Sequence, residues 1–128
     1  MKIMIQMILT LKRILKYSLY VFNGCPFQLS VSNNQLIRMF QVGKLHHLKV
    51  LDLSSNNIVT IEGLKDINLL PWLSLANNNI KTIENLSQNV HLEHLDLSGN
   101  AITYITDMSS LKNVKTLMLH KNKIGTLR

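Results

Sequence analysis

The chain has one cysteine, Cys25, in 128 residues. A lone thiol cannot form an intramolecular bridge, and secreted domains commonly staple their ends with disulfides, so a reducing, cytoplasmic compartment is expected. Aromatic residues make up only 5% of the chain. Their scarcity beside the basic residues removes the stacking platforms that single-stranded nucleic acid normally needs, which makes nucleic acid an unlikely partner. Acidic residues are missing from positions 1–49, which hold Lys2, Lys12, Arg13, Lys16, Arg38, Lys44 and Lys49, whereas positions 50–128 balance seven basic against seven acidic residues. All of the formal net charge of +7 therefore sits in the first part. The simpler reading of that asymmetry is a set of solvated side chains, and the alternative is a patch for nucleic acid or an acidic membrane surface.

Long hydrophobic runs are also missing. Ile3 to Leu11 is apolar apart from Gln6 and Thr10, but Lys12, Arg13 and Lys16 interrupt it, and it is too short to span a bilayer. No Gly-rich phosphate loop, G-x-S-x-G elbow or H-E-x-x-H occurs, and Cys25 has no evident activating base. His91, Glu93 and His94 are close in sequence, but strand alternation sends neighbours to different sides, and His46 and His47 have no cysteine or acidic companions nearby. Neither an enzyme, nor a metal site, nor a cofactor or small-molecule substrate is expected.

What the sequence does contain is a period. Asn34, Asn56, Asn78, Asn100 and Asn122 are 22 residues apart, each inside the frame L-x-x-L-x-L-x-x-N-x-L or a conservative version of it. The frame reads Leu48, Leu51, Leu53, Asn56, Ile58 in one copy and Leu92, Leu95, Leu97, Asn100, Ile102 in another. The register continues between frames through Met39, Ile61, Ile83, Ile105 and Leu127, and again through Val42, Leu64, Leu86 and Met108.

Such a unit predicts a short strand at the L-x-L centre, its leucines pointing inward and the alternate residues outward, with successive strands aligned in one parallel sheet. The asparagine follows the strand where the chain turns, and its amide can satisfy inward-facing backbone groups of its own coil and the next. All five asparagines are expected in one buried hydrogen-bonded ladder. The connectors, with apolar residues three apart, suit short 3₁₀ turns better than α-helices.

Extending the register backward places Met7, Leu9 and Ile14 at apolar positions and Lys12 where asparagine belongs. Residues 1–24 therefore read as a degenerate first coil or cap, with a signal or membrane segment or an unstructured extension as alternatives. Residues 25–128 form five frames, the last one truncated, because the chain stops partway into a repeat and leaves the layer of Leu117 and Leu119 uncovered. A fragment of a longer protein is the expectation.

On the outward side of the sheet, the first column holds Gln28, Val50, Trp72, His94 and Thr116, and the second holds Ser30, Asp52, Ser74, Asp96 and Met118. The third holds Ser32, Ser54, Ala76, Ser98 and His120. Trp72 is conspicuous among small and polar neighbours, and a tryptophan central to a surface is a frequent interface anchor. The candidate partner-binding residues are Val50, Asp52, Trp72, Ser74, His94, Asp96, Met118 and His120. A plainer reading has the indole lying flat over neighbouring side chains.

The repeat length and the connector I-x-x-I-E-G-L from Ile58 to Leu64, echoed from Ile80 to Leu86, resemble the intracellular leucine-rich repeat family typified by the SDS-type regulatory subunit of protein phosphatase 1. The resemblance implies an α/β right-handed solenoid with a parallel concave sheet and short 3₁₀ or irregular convex connectors. A closer similarity lies outside the framework positions, in Q-L-S-V-S-N-N-Q-L-I-R-M from Gln28 to Met39, E-G-L-K ending at Lys65, H-L-D-L-S ending at Ser98, and K-T-L-M-L-H from Lys115 to His120. These runs resemble, in order and spacing, the repeat region of the centrosomal protein of 97 kDa family. That resemblance implies a non-enzymatic scaffold at the centriole, in the cytoskeleton, that restrains cilium assembly together with a coiled-coil centriole-capping partner. The family's calmodulin-binding IQ element lies beyond its repeats and has no counterpart here. Departures are the missing first asparagine, Asn89 at an apolar connector position, and Pro71 ahead of Trp72.

Overall fold

The computed structural model describes residues 28–39, 42, 48–103, 105, 106 and 108–125. Residues 1–24, read as a cap, lie outside the described residues, as do Cys25, Lys44, His46, His47 and Leu127.

Five three-residue strands follow one another: β1 (Gln28–Ser30), β2 (Val50–Asp52), β3 (Trp72–Ser74), β4 (His94–Asp96) and β5 (Thr116–Met118). They form one sheet in the order β1-β2-β3-β4-β5, every pair parallel. The register steps by one repeat each time, Leu29 opposite Leu51, Leu73, Leu95 and Leu117 in turn. Equal loop lengths leave no other way to superimpose the inward leucines, because a slip by one residue would turn every side chain to the wrong face.

Parallel pairing continues past the strands, with Leu53 N donating to Ser74 O at 2.9 Å and Ser55 N to Ala76 O at 2.8 Å. The inward side is a single apolar core running from Leu29 to Ile102, with Ile105, Met108, Leu111, Val114, Leu119 and Ile124 packed against its end. Each fully buried leucine or isoleucine contributes about 1.5–3 kcal/mol, so the stack rests on this core.

The asparagines hold the corner after each strand, and their bonds run in one direction. Asn78 Nδ2 donates to Leu53 O of the preceding coil at 3.1 Å and to Leu75 O and Ala76 O of its own at 3.0 and 3.1 Å. Its Oδ1 accepts from Ile58 N, again of the preceding coil, at 3.0 Å. Asn56, Asn100 and Asn122 repeat the arrangement. The expectation of bonds to the next coil is thus corrected: the amide reaches backward, because the turn after the strand brings it beneath the strand end already laid down. The expectation of five buried amides is corrected too. Asn56, Asn78 and Asn100 are buried, whereas Asn122 is half-buried and Asn34 is exposed, bonding only to Val31 O and Ser32 O of its own coil among the described residues.

Directly before each of these amides the backbone is left-handed, at Asn33 (φ 59°), Ser55 (56°), Asn77 (56°), Gly99 (67°) and Lys121 (58°). That conformation turns the chain sharply enough to bring the asparagine inward, and it costs a non-glycine residue about 1–2 kcal/mol. At Gly99 a Cβ would lie 2.2 Å from Asn77 Oδ1, so the absence of a side chain there also makes room for the neighbouring coil.

No α-helix occurs among the described residues. The connectors turn through isolated i→i+3 bonds such as Ile67 N to Leu64 O at 3.0 Å and Leu111 N to Met108 O at 3.0 Å, the hydrogen-bond pattern of 3₁₀ turns. Asn89 is buried in the slot held by the buried Ile67 and the half-buried Leu111 in adjacent coils. Its Nδ2 donates to Leu64 O at 2.9 Å, while its Oδ1 is buried without a partner.

Candidate functional site

The outward face of the sheet is built by the same alternation that fills the core. In β3, Leu73 is buried inside while Trp72 is half-buried on the other side. Register sets Trp72 between Val50 and His94. The indole and the His94 imidazole lie nearly parallel, 6° apart in plane with centroids separated by 4.9 Å. The ring therefore does lie flat on a neighbour, and the two together form one platform with the indole outside the core.

Two positions further along each strand comes the column of Asp52, Ser74, Asp96 and Met118. Asp52 Oδ1 accepts from Ser54 N at 3.0 Å and Ser54 Oγ at 2.6 Å. Asp96 Oδ1 does the same with Ser98 N at 3.0 Å and Ser98 Oγ at 2.6 Å. The clasp fixes each carboxylate against its own coil. Its signal in the sequence was the repeated D-L-S, an aspartate two residues before a serine, which is the spacing of an Asx turn.

Ser74 departs from its expected exposure. It is buried, as are Ala76 and Ser98, because small side chains sink between larger neighbours on strands about 4.8 Å apart. They leave only short side chains on this face, Ser74 between the two carboxylates and Ala76 and Ser98 two residues further along their coils. Val50, Asp52, His94, Asp96 and Met118 are half-buried and His120 is exposed. Beside this face Lys115 Nζ pairs with Glu93 Oε1 at 3.0 Å, both well exposed.

The connector side has its own backward bonds, which the repeat frame did not signal. Asn85 Nδ2 donates to Ile61 O at 2.7 Å, Ser110 Oγ to Leu86 O at 3.1 Å, and Thr106 Oγ1 to Ile83 O. Arg38 and Glu62 join the first two described coils through a two-point pair, Nε to Oε1 at 2.9 Å and Nη2 to Oε2 at 3.0 Å. The Arg38 guanidinium holds the Glu62 carboxyl below its ordinary range, chiefly by hydrogen bonding and partly by charge. Among the described residues no three His, Cys, Asp or Glu side chains converge as a metal site. No helix among them is long and apolar enough to cross a membrane.

The model of leucine-rich repeats in two copies matches residues 72–113, and a single leucine-rich repeat model matches residues 44–67. The chain is a leucine-rich repeat protein. An internalin of Listeria monocytogenes is 30% identical over 79% of this chain and 30% of its own, with a TM-score of 0.70. The chain in the TLR13-ssRNA13 complex is 28% identical over 78% of this chain and 14% of its own, with a TM-score of 0.63. Internalin C2 of the same bacterium shares the fold at 23% identity, over 80% of this chain and 60% of its own, with a TM-score of 0.62. This leucine-rich repeat chain thus spans less than two thirds of each of these relatives. No curated protein matches its sequence.

Proposed function

We propose that this leucine-rich repeat chain is a non-enzymatic protein-interaction module whose partner docks on the outward face of the sheet, over Trp72, His94, Asp96, Met118 and His120, with Val50, Asp52 and Ser74 alongside. The observation that carries the reading is the Trp72–His94 stack, a large aromatic surface held outside the core at the middle of a five-strand sheet. A preorganised array of this kind loses little conformational entropy when a partner binds.

The similarity of residues 26–128 to the centrosomal protein of 97 kDa family supports a finer version of the proposal. In it the chain is the repeat region of a cytoplasmic centriolar scaffold that restrains cilium assembly, residues 25–128 being the repeats and 1–24 their cap, with a coiled-coil centriole-capping protein as partner. A second reading, a regulator of protein phosphatase 1, has one observation in its favour. Gly63 of the SDS-type connector adopts φ 74°, and Asn85 adopts φ 60° one repeat later, so the connector shape recurs.

Capture from cell extract with wild-type and Trp72→Ala chains separates these readings. The centriolar reading expects capping protein bound to wild type and lost with Trp72→Ala. Phosphatase in its place selects the second reading. Capture that is indifferent to Trp72→Ala, with the fold intact, removes the proposed face.

A further inference from the structure

We infer that the outward face beside Trp72 is a receptor for an arginine side chain on an extended segment of the partner protein. The inference rests on the reading of this face as the partner surface and supplies the chemistry of what binds there.

Charge is the first ground. The chain as a whole carries +7, yet the three outward columns of the five strands contain no lysine or arginine and two carboxylates, Asp52 and Asp96. A negative face on a basic protein selects cationic partners and repels nucleic acid.

Geometry is the second. Asp52, Ser74 and Asp96 stand opposite one another on adjacent strands, which puts the two aspartates on the order of 10 Å apart at the backbone, with the short Ser74 between them. In each clasp Oδ1 is taken by a serine, and Oδ2 accepts no bond from the described residues. A planar cation set over Ser74 can therefore donate to a free oxygen on either side. Trp72, two residues before Ser74 on β3, and His94, two before Asp96 on β4, present the stacked rings along the same edge.

An aromatic stack on the same sheet face as two carboxylates is an environment that guanidinium fits better than ammonium. Arginine offers five donors in a rigid fork and a flat face that stacks on indole, whereas lysine offers a point charge with no plane. Ser74, Ala76 and Ser98 carry short buried side chains, and the two serine hydroxyls are engaged within their own coils.

Trp72 is the only tryptophan of the chain, so its fluorescence reports this part of the face alone. The full chain is titrated with a Gly/Ser peptide carrying one arginine, and with the same peptide carrying lysine, glutamate or leucine instead. A single-stranded RNA oligonucleotide forms a further arm. The expected result is a saturable change with the arginine peptide, weaker with lysine and absent with glutamate, leucine and RNA. Asp52→Asn and Asp96→Asn, which keep the acceptor for the serine clasp and so preserve the fold, should each weaken the arginine peptide by about tenfold. Equal response to leucine or glutamate, response to RNA, no response to arginine, or indifference to both substitutions would overturn the inference. The broader reading of the face fails separately, when Trp72→Ala leaves capture of the cellular partner unchanged.

Discussion

The middle coils and the last described coil carry the same sequence frame and end in different environments. Leu73 and Leu95 are fully buried, while Leu117, in the same slot of β5, is 40% exposed. Asn78 and Asn100 are buried, and Asn122, with the same set of bonds, is half-buried. The frame therefore fixes where a side chain points, and the neighbouring coils decide how much it stabilises. In a stack held by nearest-neighbour contacts, identical residues are not energetically identical.

The widest test of that difference compares the leucines. Leu73→Ala should cost about 2–5 kcal/mol through the cavity it leaves, and Leu117→Ala under about 1 kcal/mol, since its site can already admit water. Urea unfolding followed by circular dichroism measures both, and equal costs would break the comparison. The asparagines come next. Asn78→Ala should cost about 1–3 kcal/mol by leaving buried backbone groups unpaired, and Asn122→Ala about half as much, because water reaches the freed carbonyls.

Asn89 reverses the sign. Its Oδ1 has no partner, and Leu64 O retains its bond from Ile67 N when the amide is removed. Asn89→Leu, matching the Ile67 and Leu111 slots, should raise stability by roughly 1 kcal/mol. The left-handed residues sharpen the comparison from another direction, because backbone strain is local and owes nothing to neighbouring coils. Ser55→Gly in the middle and Lys121→Gly at the end should therefore stabilise alike, by about 0.5–1 kcal/mol once the entropy of glycine is set against the relieved strain. A large gain at one site and none at the other would show that coil position matters there too.

The smallest effect is that of pH on the exposed Arg38–Glu62 pair. With Glu62 held below its ordinary range, the pair contributes fully above the unfolded carboxylate range and is lost as pH falls through the depressed folded value. Screening by solvent and salt keeps that contribution small, so the difference between wild type and Glu62→Gln should narrow on acidification and in high salt.

The repeat frame made the sheet, its register and the inward leucines legible, because a period of 22 with a two-residue alternation admits one stacking. It also placed Trp72 and His94 side by side. The direction of the amide bonds was not legible, since an asparagine at a corner can satisfy either neighbour and only the turn geometry chooses. Nor was the burial of Ser74, which depends on the size of the side chains in the columns around it rather than on its own polarity. The Asp52 and Asp96 clasps were present as a local D-x-S spacing, hidden by a frame that draws the eye to leucines.

Trp72 and Leu73, adjacent residues of β3, face opposite ways. Chemical unfolding of Trp72→Ala beside Leu73→Ala measures this, with circular dichroism as the signal because the first variant has no tryptophan. The ring stack contributes about 0.5–1.5 kcal/mol beyond the area the half-buried indole covers, and the total loss should stay below that of the fully buried Leu73, for which about 2–5 kcal/mol is expected. A loss at Trp72 as large as that at Leu73 would mean that the indole belongs to the core, and the outward face would lose its anchor.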